Sequence, residues 1–301
     1  MLIMSASRTA LSRGDRVFHL INTLIMGLIC IVILYPLYYV IISSITDPSA
    51  VKGGELLLFP GKLYFDGYVT AFNFKPLMTG YRNSIIYTLL GTAINIAVTI
   101  PGAYALSRKD MPGRNGIMLI MTFTMFFSGG IIPLYMLIRS LHFMDTIWSL
   151  VLPGGVSVFN LIVVRTFYMS NIPDSLLEAS RIDGCSDLHF FFRIVLPLSS
   201  TVIAVMVVFY AVGHWNSYFN AIMYLNSRSK MPLQAILRDL LIENTITVDM
   251  RVNPAEALEK MKRADQLKYC VIVLASFPVM VLYPLTQKYF AQGVMIGSIK
   301  E

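Results

Sequence analysis

The hydrophobic pattern divides the chain into long stretches without a charged residue, separated by segments in which the charges are concentrated. The uncharged stretches are 17–46, 83–107, 115–138, 146–164, 194–227 and 269–287, each of at least 19 residues. A helix needs about 20 apolar residues to cross a hydrocarbon core about 30 Å thick. The pattern therefore predicts an all-α membrane protein with six transmembrane helices, at about 18–43, 84–106, 117–138, 146–167, 198–224 and 269–288.

The composition excludes an ordinary water-soluble surface. Hydrophobic residues make up 56% of the chain and charged residues 14%, where globular proteins have about 45–50% and about 25%. Three arginines, Arg8, Arg13 and Arg16, precede the first apolar stretch, as they would in a signal peptide. That stretch is far longer than the 7–15 apolar residues of a signal peptide, and no small-residue cleavage pattern follows it. We therefore expect a retained membrane anchor.

The sequence contains no arrangement of residues typical of a catalytic, metal or nucleotide site. The cysteines, Cys30, Cys185 and Cys270, are far apart and lack a CxxC pair, and the four histidines are scattered without an HExxH motif. The chain also lacks the GxxxxGK[ST] loop that cradles nucleotide phosphates. We predict that it is not an enzyme and binds no metal or cofactor of its own. We do not expect the net charge of +7 to reflect nucleic-acid binding.

Charge counting leaves the orientation of the chain open, because basic residues are numerous on both sides of the predicted spans. The clusters at 8–16 and 108–114 adjoin their helices and favour a cytoplasmic N-terminus. Segment 228–268, however, is rich in bases and has the charge density of a soluble surface. Within it, Asn253 and Pro254 are placed to begin a short helix that leads into the sixth span.

The segment after the fourth span is predicted to form a helix, a break and a second helix outside the bilayer. Pro173 and Asp174 open the first helix, and Gly184 is suited to the left-handed conformation that ends it. Ser186 and Asp187 are placed to cap the second helix, which Pro197 ends or kinks. Along the first helix Leu176, Leu177 and Ser180 share one side, which we expect to be buried in a protein groove.

This segment resembles the EAA loop of binding-protein-dependent ABC importer permeases, whose pattern is roughly E-A-A-x-x-D-G-A, five residues, F, two residues and I-x-L-P. The residues in register are Glu178, Ala179, Asp183, Gly184, Phe191, Ile194, Leu196 and Pro197. Ser180 and Cys185 stand where the family usually has Ala. Both are small, so close packing should survive.

The resemblance extends from about residue 15 to the C-terminus and is strongest to the carbohydrate-uptake branch, in the permease subunit similar to the second maltose-type permease. The blocks 128–154, 214–216 and 283–301 carry it, and two of them are most similar to permeases for complex, some uronic-acid-containing, oligosaccharides. The resemblance implies a type I ABC importer permease fold with a cytoplasmic EAA coupling hairpin at 171–197, which docks on an ATPase.

The same resemblance implies a location, an organisation and partners. The expected regions are a cytoplasmic N-terminal segment 1–16, a permease domain 17–291, an extracytoplasmic loop 228–268 and a cytoplasmic tail 292–301. The chain would lie in the bacterial inner membrane with both termini cytoplasmic. It would pair with a second permease, two copies of an ATPase that bind ATP and Mg, and an extracytoplasmic solute-binding protein.

The resemblance assigns roles within the loop. Glu178 would contact the ATPase through its charge, with Ala179 and Ser180 beside it, and Asp183 would hold the loop or join the same interface. Gly184 would supply the backbone bend. Phe191 and Leu196 would anchor the hairpin to its own core, and local packing alone is the alternative for them. Pro197 is counted with them among the residues that couple the permease to the ATPase.

Polar residues within the spans are candidates for the sugar path, because lipid would penalise them. In the fifth span we expect His214, Ser217 and Tyr218 on one helical face with Trp215 and Asn216 beside it, and Asn95, Thr99 and Asn160 contribute from other spans. The alternative is that these side chains bridge helices or lie at the membrane interface. The partner permease is an alternative location for the sugar.

Three other functions compete with sugar import. An ion-coupled secondary transporter usually has a carboxylate inside the membrane, and the six stretches contain none. A membrane-embedded enzyme would need a convergent set of acid, base or metal residues. The third alternative keeps the fold and changes the transported solute.

Overall fold

A computed structural model describes residues 13–47, 51, 59, 62–243, 266–282, 284 and 287. Within these residues the chain is helical, and its extended backbone pairing is a single isolated bridge between Thr46 and Leu63. The helices are α1 Arg13–Ile45, α2 Asp66–Asn73, α3 Lys75–Ser107, α4 Arg114–Phe126, α5 Ile131–Ser140, α6 Trp148–Val151, α7 Val158–Asn171, α8 Asp174–Ile182, α9 Asp187–Leu198, α10 Ser200–Trp215, α11 Phe219–Tyr224, α12 Leu233–Glu243 and α13 Gln266–Leu282.

Among the described residues, α1 and α3 are the two unbroken helices that are long and apolar enough to cross a membrane, and two bent helix pairs could each supply a further span. The first pair, α4 and α5, occupies the predicted third span and bends by 113°. The break contains Gly129 and Gly130, and Gly130 has a φ of +84°. A helix does not continue through such a residue, so the region predicted as the span 117–138 consists of two helices that meet at a bend.

The fourth and fifth predicted spans also differ from single helices. Region 146–167 is divided between α6 and α7 because Pro153, Gly154 and Gly155 interrupt it. Region 198–224 contains α10 and α11, which residues 216–218 separate. The helix of the second predicted span begins before that span, at Lys75. A charged residue ends an uncharged stretch of the sequence, but it does not end a helix.

Several predicted features lie outside the described residues. These are the N-terminal residues before 13, the whole of the tail 292–301, and the short helix expected to begin at 253–254. Of the predicted sixth span, 269–288, the structure describes the apolar helix α13 up to Leu282.

Two parts of the chain form separate packing units. In the first, 1–71 with 248–273, the Ser44 and Tyr68 hydroxyls are 2.7 Å apart and Gln266 donates to the Tyr64 carbonyl at 2.9 Å. Gly67 is needed there, because a Cβ at its position would lie 2.7 Å from the Cys270 Sγ. The apolar side chains of α1 are exposed along its length, as expected of a helix surrounded by hydrocarbon.

The second unit, 72–247 with 274–301, is organised around α3. Helix α3 packs against α7 and α10, and the largest core cluster lies among them. Its fully buried members include Ala103 from α3, Val164 and Tyr168 from α7, and Met206 from α10. The same cluster extends to α9 through Phe190, so the segment with the EAA motif is built on the core of this unit.

Candidate functional site

Residues 171–197, which we call the EAA segment, contain a helix, a tight turn and a second helix. Helix α8 starts after Pro173, whose extended backbone and fixed φ suit the position before a helix. Ser186 caps α9, because its Oγ accepts a hydrogen bond from the His189 backbone N at 3.3 Å. The carboxylates of Asp174 and Asp187 lie in the first turns of these helices, where the helix dipole favours negative charge.

The turn between α8 and α9 depends on Gly184, which has a φ of +75°. Its backbone N donates to the Arg181 carbonyl at 3.1 Å, and the Cys185 N donates to the Ser180 carbonyl at 2.9 Å. These two bonds form a Schellman motif, which satisfies carbonyls that the helix end would leave unpaired. A Cβ on Gly184 would meet no atom within 4 Å. The requirement for glycine is therefore conformational rather than steric.

The apolar side of the EAA segment packs against the protein's own core. Leu176 and Leu177 from α8 contact the core cluster, and Phe190 and Phe191 from α9 are buried members of it. Ser180 is also buried, with its hydroxyl donating to the Leu177 carbonyl at 2.7 Å. The expectation that the Leu176–Leu177 side fills a groove on another protein is therefore wrong, because its own core covers it.

The opposite side of the segment is exposed. Glu178, Ala179 and Asp183 lie on this surface, as the resemblance implies for residues that meet a partner. Beside them Ile182 is 87% exposed and Leu188 72% exposed. Ile182 is the most exposed large hydrophobic side chain in the described part of the chain. The sequence reading missed Ile182 and Leu188, because the motif does not show which side of each helix the core covers.

The end of the segment turns sharply toward α10. Pro197 lacks a backbone N–H and its ring crowds the carbonyl four residues earlier. Residues Phe191–Val195 form a π-helical turn just before it, and such a turn relieves this kind of crowding. The Ser199 hydroxyl donates to the Val195 carbonyl at 2.6 Å, and α9 and α10 meet at 78°. Leu196 packs against the core cluster.

Four of the candidate path residues lie in the interior of the second unit. Asn95 is fully buried, and its Oδ1 atom lies 2.6 Å from the Nε2 atom of His214. Its Nδ2 atom donates a hydrogen bond to the Gly154 carbonyl. Trp215 is buried and donates from Nε1 to the Ala275 carbonyl at 3.0 Å. Asn160 is also buried. The polar atoms with which Asn95, His214 and Trp215 would bind a sugar already form hydrogen bonds within the chain.

Three further path candidates lie in the break after α10. Asn216 caps α10, and its backbone N donates to the Val212 carbonyl at 3.1 Å. Ser217 and Tyr218 follow outside the helix, so the prediction of one helical face through 214, 217 and 218 is wrong. Asn and Ser side chains compete with the backbone for hydrogen bonds, which favours helix ends at such positions. Asn216 and Tyr218 are exposed, whereas Ser217 is partly buried.

A comparison with protein-family models matches residues 76–296 to the binding-protein-dependent transport system inner membrane component. The chain belongs to this family. The matched region includes α3, the EAA segment and α10, which together form the core of the second unit.

The family's relatives cover nearly the whole of this permease. It is 37% identical to the protein LplC of Bacillus subtilis over 290 residues, 96% of this chain and 97% of that one. It is 39% identical to the polygalacturonan/rhamnogalacturonan transport system permease protein YtcP of the same organism over 278 residues, 92% and 95% of the two chains. It is also similar to a chain in the crystal structure of a bacterial ABC transporter involved in the import of the acidic polysaccharide alginate. That similarity has a TM-score of 0.83 and 32% identity and covers 93% and 99% of the two chains.

The interior of the permease contains a second polar cluster, of which the sequence predicted only Thr99. The Tyr210 hydroxyl lies 2.8 Å from the Thr99 Oγ1 and accepts a hydrogen bond from the Ser157 backbone N at 3.3 Å. The cluster joins α3 and α10 to the start of α7. Tyr210 was missed because a tyrosine in an apolar stretch gives no separate signal. In the described part of the chain, no group of three or more His, Cys, Asp or Glu side chains is placed to hold a metal ion.

Another missed feature lies at the opposite end of α3 from the EAA segment. Asp145, in the loop between α5 and α6, has a φ of +55° and accepts hydrogen bonds from the backbone N atoms of Asn226 and Ser227 at 3.1 and 3.0 Å. It also accepts from the Ser227 hydroxyl at 2.7 Å and from the Lys230 Nζ at 2.8 Å. These donors, the Lys230 ammonium above all, hold the pKa of Asp145 well below its usual range.

From α3, two side chains bind the same loop. Asn83 donates to the Ser229 and Met231 carbonyls at 2.9 and 3.0 Å, and the Tyr87 hydroxyl donates to the Lys230 carbonyl at 2.8 Å. We call Asn83, Tyr87 and Asp145 the loop clamp, because each of them bonds to the backbone of residues 226–231.

Proposed function

We propose that the chain is a permease subunit of an ATP-binding-cassette importer that carries acidic oligosaccharides into the cell. One observation carries the choice of substrate: a relative at 39% identity is named for polygalacturonan and rhamnogalacturonan transport, and the similar crystal structure belongs to an alginate importer. Galacturonan and alginate are both polymers of uronic acids, so a carboxylated sugar is the substrate class common to the two.

The assembly that follows from this function contains more than one kind of subunit. A second permease would complete the translocation path, and two copies of a cytoplasmic ATPase would bind ATP and Mg. A solute-binding protein would deliver the sugar from outside. The permease would lie in the bacterial inner membrane with both termini and the EAA segment cytoplasmic. The family's description as a binding-protein-dependent inner membrane component supports this organisation.

The exposed side of the EAA segment is the proposed ATPase contact. Glu178 would pair with a basic residue, and Ala179 would allow the close approach of a partner's backbone. Ile182 would enter an apolar pocket beside them. Its 87% exposure supports this role, because burying one such side chain contributes about 1.5–3 kcal/mol. Closure of the ATPase dimer would then move the segment and switch the path between outward- and inward-facing states.

Within the path we assign sugar contact to Asn216 and Tyr218, whose side chains are exposed. Asn95 and His214 are assigned to packing between α3 and α10, because they bond to each other. Aromatic side chains bind sugar rings through their apolar faces, and amides bind hydroxyl groups. The partner permease would supply the remaining contacts.

The direct test is uptake by proteoliposomes that contain the permease, its partner permease and the ATPase, supplied with the cognate binding protein. Labelled trigalacturonate should accumulate in an ATP-dependent manner, and maltotriose should not compete with it. ATP-dependent uptake of maltotriose alone would contradict the acidic substrate. ATP-independent uptake of either sugar would contradict the importer.

A further inference from the structure

The end of α3 nearest the EAA segment is held by basic side chains from three places. Arg165 of α7 donates from Nε to the Leu106 carbonyl at 2.9 Å, and Arg114 donates to the Ser107 carbonyl at 3.3 Å. Arg108 donates to the Tyr104 hydroxyl at 3.2 Å and lies 5.8 Å above the centre of that ring. Such cations satisfy the free carbonyls and the negative dipole of a helix C-terminus. This end of α3 is therefore firmly positioned.

From this point a network of ion pairs continues into the EAA segment. Arg108 pairs with Asp110 through two hydrogen bonds, one of 2.9 Å from Nε, and with Asp187 at 2.9 Å. Arg181 pairs with Asp110 at 3.0 Å and lies 3.6 Å from Asp187. We call Arg108, Asp110, Arg181 and Asp187 the brace. Two of its members follow α3, and the other two lie at the end of α8 and the start of α9.

The electrostatics of the brace agree with its geometry. Arg108 holds the pKa of Asp110 well below its usual range, and Arg181 acts in the same direction. Asp110 in turn raises the pKa of Arg108. Arg108 and Asp110 therefore stay charged at neutral pH. A further ion pair, between Lys109 and Asp174 at 2.5 Å, ties the same loop to the opposite end of α8.

The charges of the EAA segment thus divide into two sets. Asp174, Arg181 and Asp187 bond to the loop after α3. Glu178 and Asp183 are exposed and make no ion pair within the described residues. The second set contains the residues proposed to meet the ATPase, and the first set fixes the segment to α3.

The brace is too exposed to contribute much to folding. The side chains of Asp110, Arg181 and Asp187 are 48%, 49% and 61% exposed, and only that of Arg108, at 13%, is largely covered. Exposed ion pairs of this kind stabilise a fold by about 0–1 kcal/mol each. Their substitution should therefore leave the permease folded and change the position of the segment instead.

The geometry points to the brace as the positioning device that makes α8, α9 and the end of α3 move as one body, so that a push on the EAA segment reaches α3. This inference rests on the proposed function, because it concerns how the ATPase stroke is transmitted. It adds four positioning residues to the docking residues of the segment. Three of them, Arg108, Asp110 and Arg181, lie outside the positions that carry the family resemblance or the caps predicted from sequence.

The first test measures position in the full chain without a sugar or an ATPase. Spin labels at Ser175→Cys in α8 and Val98→Cys in α3, both exposed positions, would report their separation in lipid nanodiscs. The three native cysteines are first replaced by Ala. An intact brace predicts a narrow distance distribution, and Arg181→Gln should broaden it. Arg181→Lys, which keeps the charge, and Arg82→Gln, the same change at the far end of α3, should leave it narrow. A narrow distribution in Arg181→Gln would overturn the brace.

The second test measures coupling in the assembled transporter. Arg181→Gln should lower trigalacturonate uptake per ATP hydrolysed by about fivefold, the effect of about 1 kcal/mol on a positional equilibrium. Asp110→Asn should have a similar effect, and the double variant should be no worse than either single one, since both remove the same contact. Arg181→Lys should restore most of the ratio, and co-purification of the ATPase should stay at the wild-type level.

The outcomes separate the brace from the proposed function. A wild-type transporter without ATP-driven uptake would refute the function, and the distance measurement would still decide the brace. A wild-type transporter that imports, together with an Arg181→Gln variant of unchanged coupling ratio, would refute the brace alone. Loss of ATPase co-purification in Arg181→Gln would also overturn it, because Arg181 would then be a docking residue.

Discussion

The two ends of α3 are held by different kinds of bond. At its start, the loop clamp bonds to the backbone of 226–231, with Asp145 accepting from two backbone amides and Asn83 and Tyr87 donating to carbonyls. At its end, Arg165 and Arg114 also bond to backbone carbonyls, but the brace that joins α3 to the EAA segment pairs side chain with side chain. Hydrogen bonds to the backbone hold the conformation of the chain, whereas ion pairs between exposed side chains hold only the relative position of two helices that are already folded. We therefore expect the start of α3 to control stability and its end to control coupling.

The largest effect should come from the turn beside the brace. Gly184→Leu forces a branched side chain to adopt a φ of +75°, which costs about 1–2 kcal/mol and displaces the exposed side of α8 relative to α9. Uptake should be abolished while membrane insertion stays normal, as measured by proteoliposome transport and membrane fractionation.

Two variants serve as controls for Gly184→Leu. Gly116→Leu adds the same side chain at another glycine with no atom within 4 Å of the added Cβ, but without a positive φ, and should transport normally. Gly184→Asn should retain part of the activity, because Asn tolerates the left-handed region. Normal uptake by Gly184→Leu would contradict the role of the turn.

At the other end of α3, Asp145→Gly should lower stability without changing coupling. Gly adopts the left-handed backbone at no steric cost, so this variant isolates the lost acceptors of the loop clamp. The free energy of unfolding should fall by about 2 kcal/mol, because hydrogen bonds to a charged group are worth about 1.5–3 kcal/mol. Thermal unfolding of the purified permease measures the loss. An unchanged melting temperature, or a lower uptake per ATP below that temperature, would contradict the division between the two ends.

A smaller effect should separate the middle of α3 from the break after α10. Asn95→Ala removes the partner of His214 and of the Gly154 carbonyl, so it should reduce stability by about 1–3 kcal/mol with little change in KM for trigalacturonate. Asn216→Ala with Tyr218→Ala should raise KM a few-fold and leave the melting temperature unchanged. The reverse pattern would return the sugar path to Asn95 and His214.

The smallest effect concerns pH. Because the folded pKa of Asp145 is depressed, its contribution to stability is complete above the unfolded value of about 3.9 and is lost as the pH falls through the folded value. The melting temperature should therefore be insensitive to this group between about pH 5 and 7 and should fall in more acidic solution. Asp145→Asn should show a shallower acid dependence. Equal slopes for the two proteins would contradict the assignment.

Much of the fold follows from periodicity and charge, and the exceptions have a common cause. The apolar stretches predict helices because charges are costly in hydrocarbon, yet they give no warning of breaks at Gly130, Pro153 or Asn216. Backbone conformation at such residues is decided locally, by φ or by side-chain competition, and it leaves hydrophobicity unchanged. The turn at Gly184 and the cap at Ser186 were predictable, because a glycine after a helix and a serine before one are local sequence signals.

The functional surfaces were less predictable, because they depend on which side of a helix the core covers. The motif identified Glu178 and Asp183, but only the packing of Leu176 and Leu177 shows that Ile182 faces outward. The brace was also not predictable from the sequence, for a different reason. The basic residues at 108–114 favour a cytoplasmic N-terminus in the sequence, but the pairs Arg108–Asp187 and Arg181–Asp110 need the fold to bring together residues 79 and 71 apart.

One measurement tests the central claim, that the exposed side of the EAA segment meets the ATPase. Benzoylphenylalanine would be introduced at Ile182 or, as a control, at the exposed Tyr218, and irradiated in cells that express the whole transporter. We predict that Ile182 gives an adduct whose partner is identified by mass spectrometry as the ABC ATPase and that Tyr218 gives none. An ATPase adduct at Tyr218, or its absence at Ile182, would contradict the account.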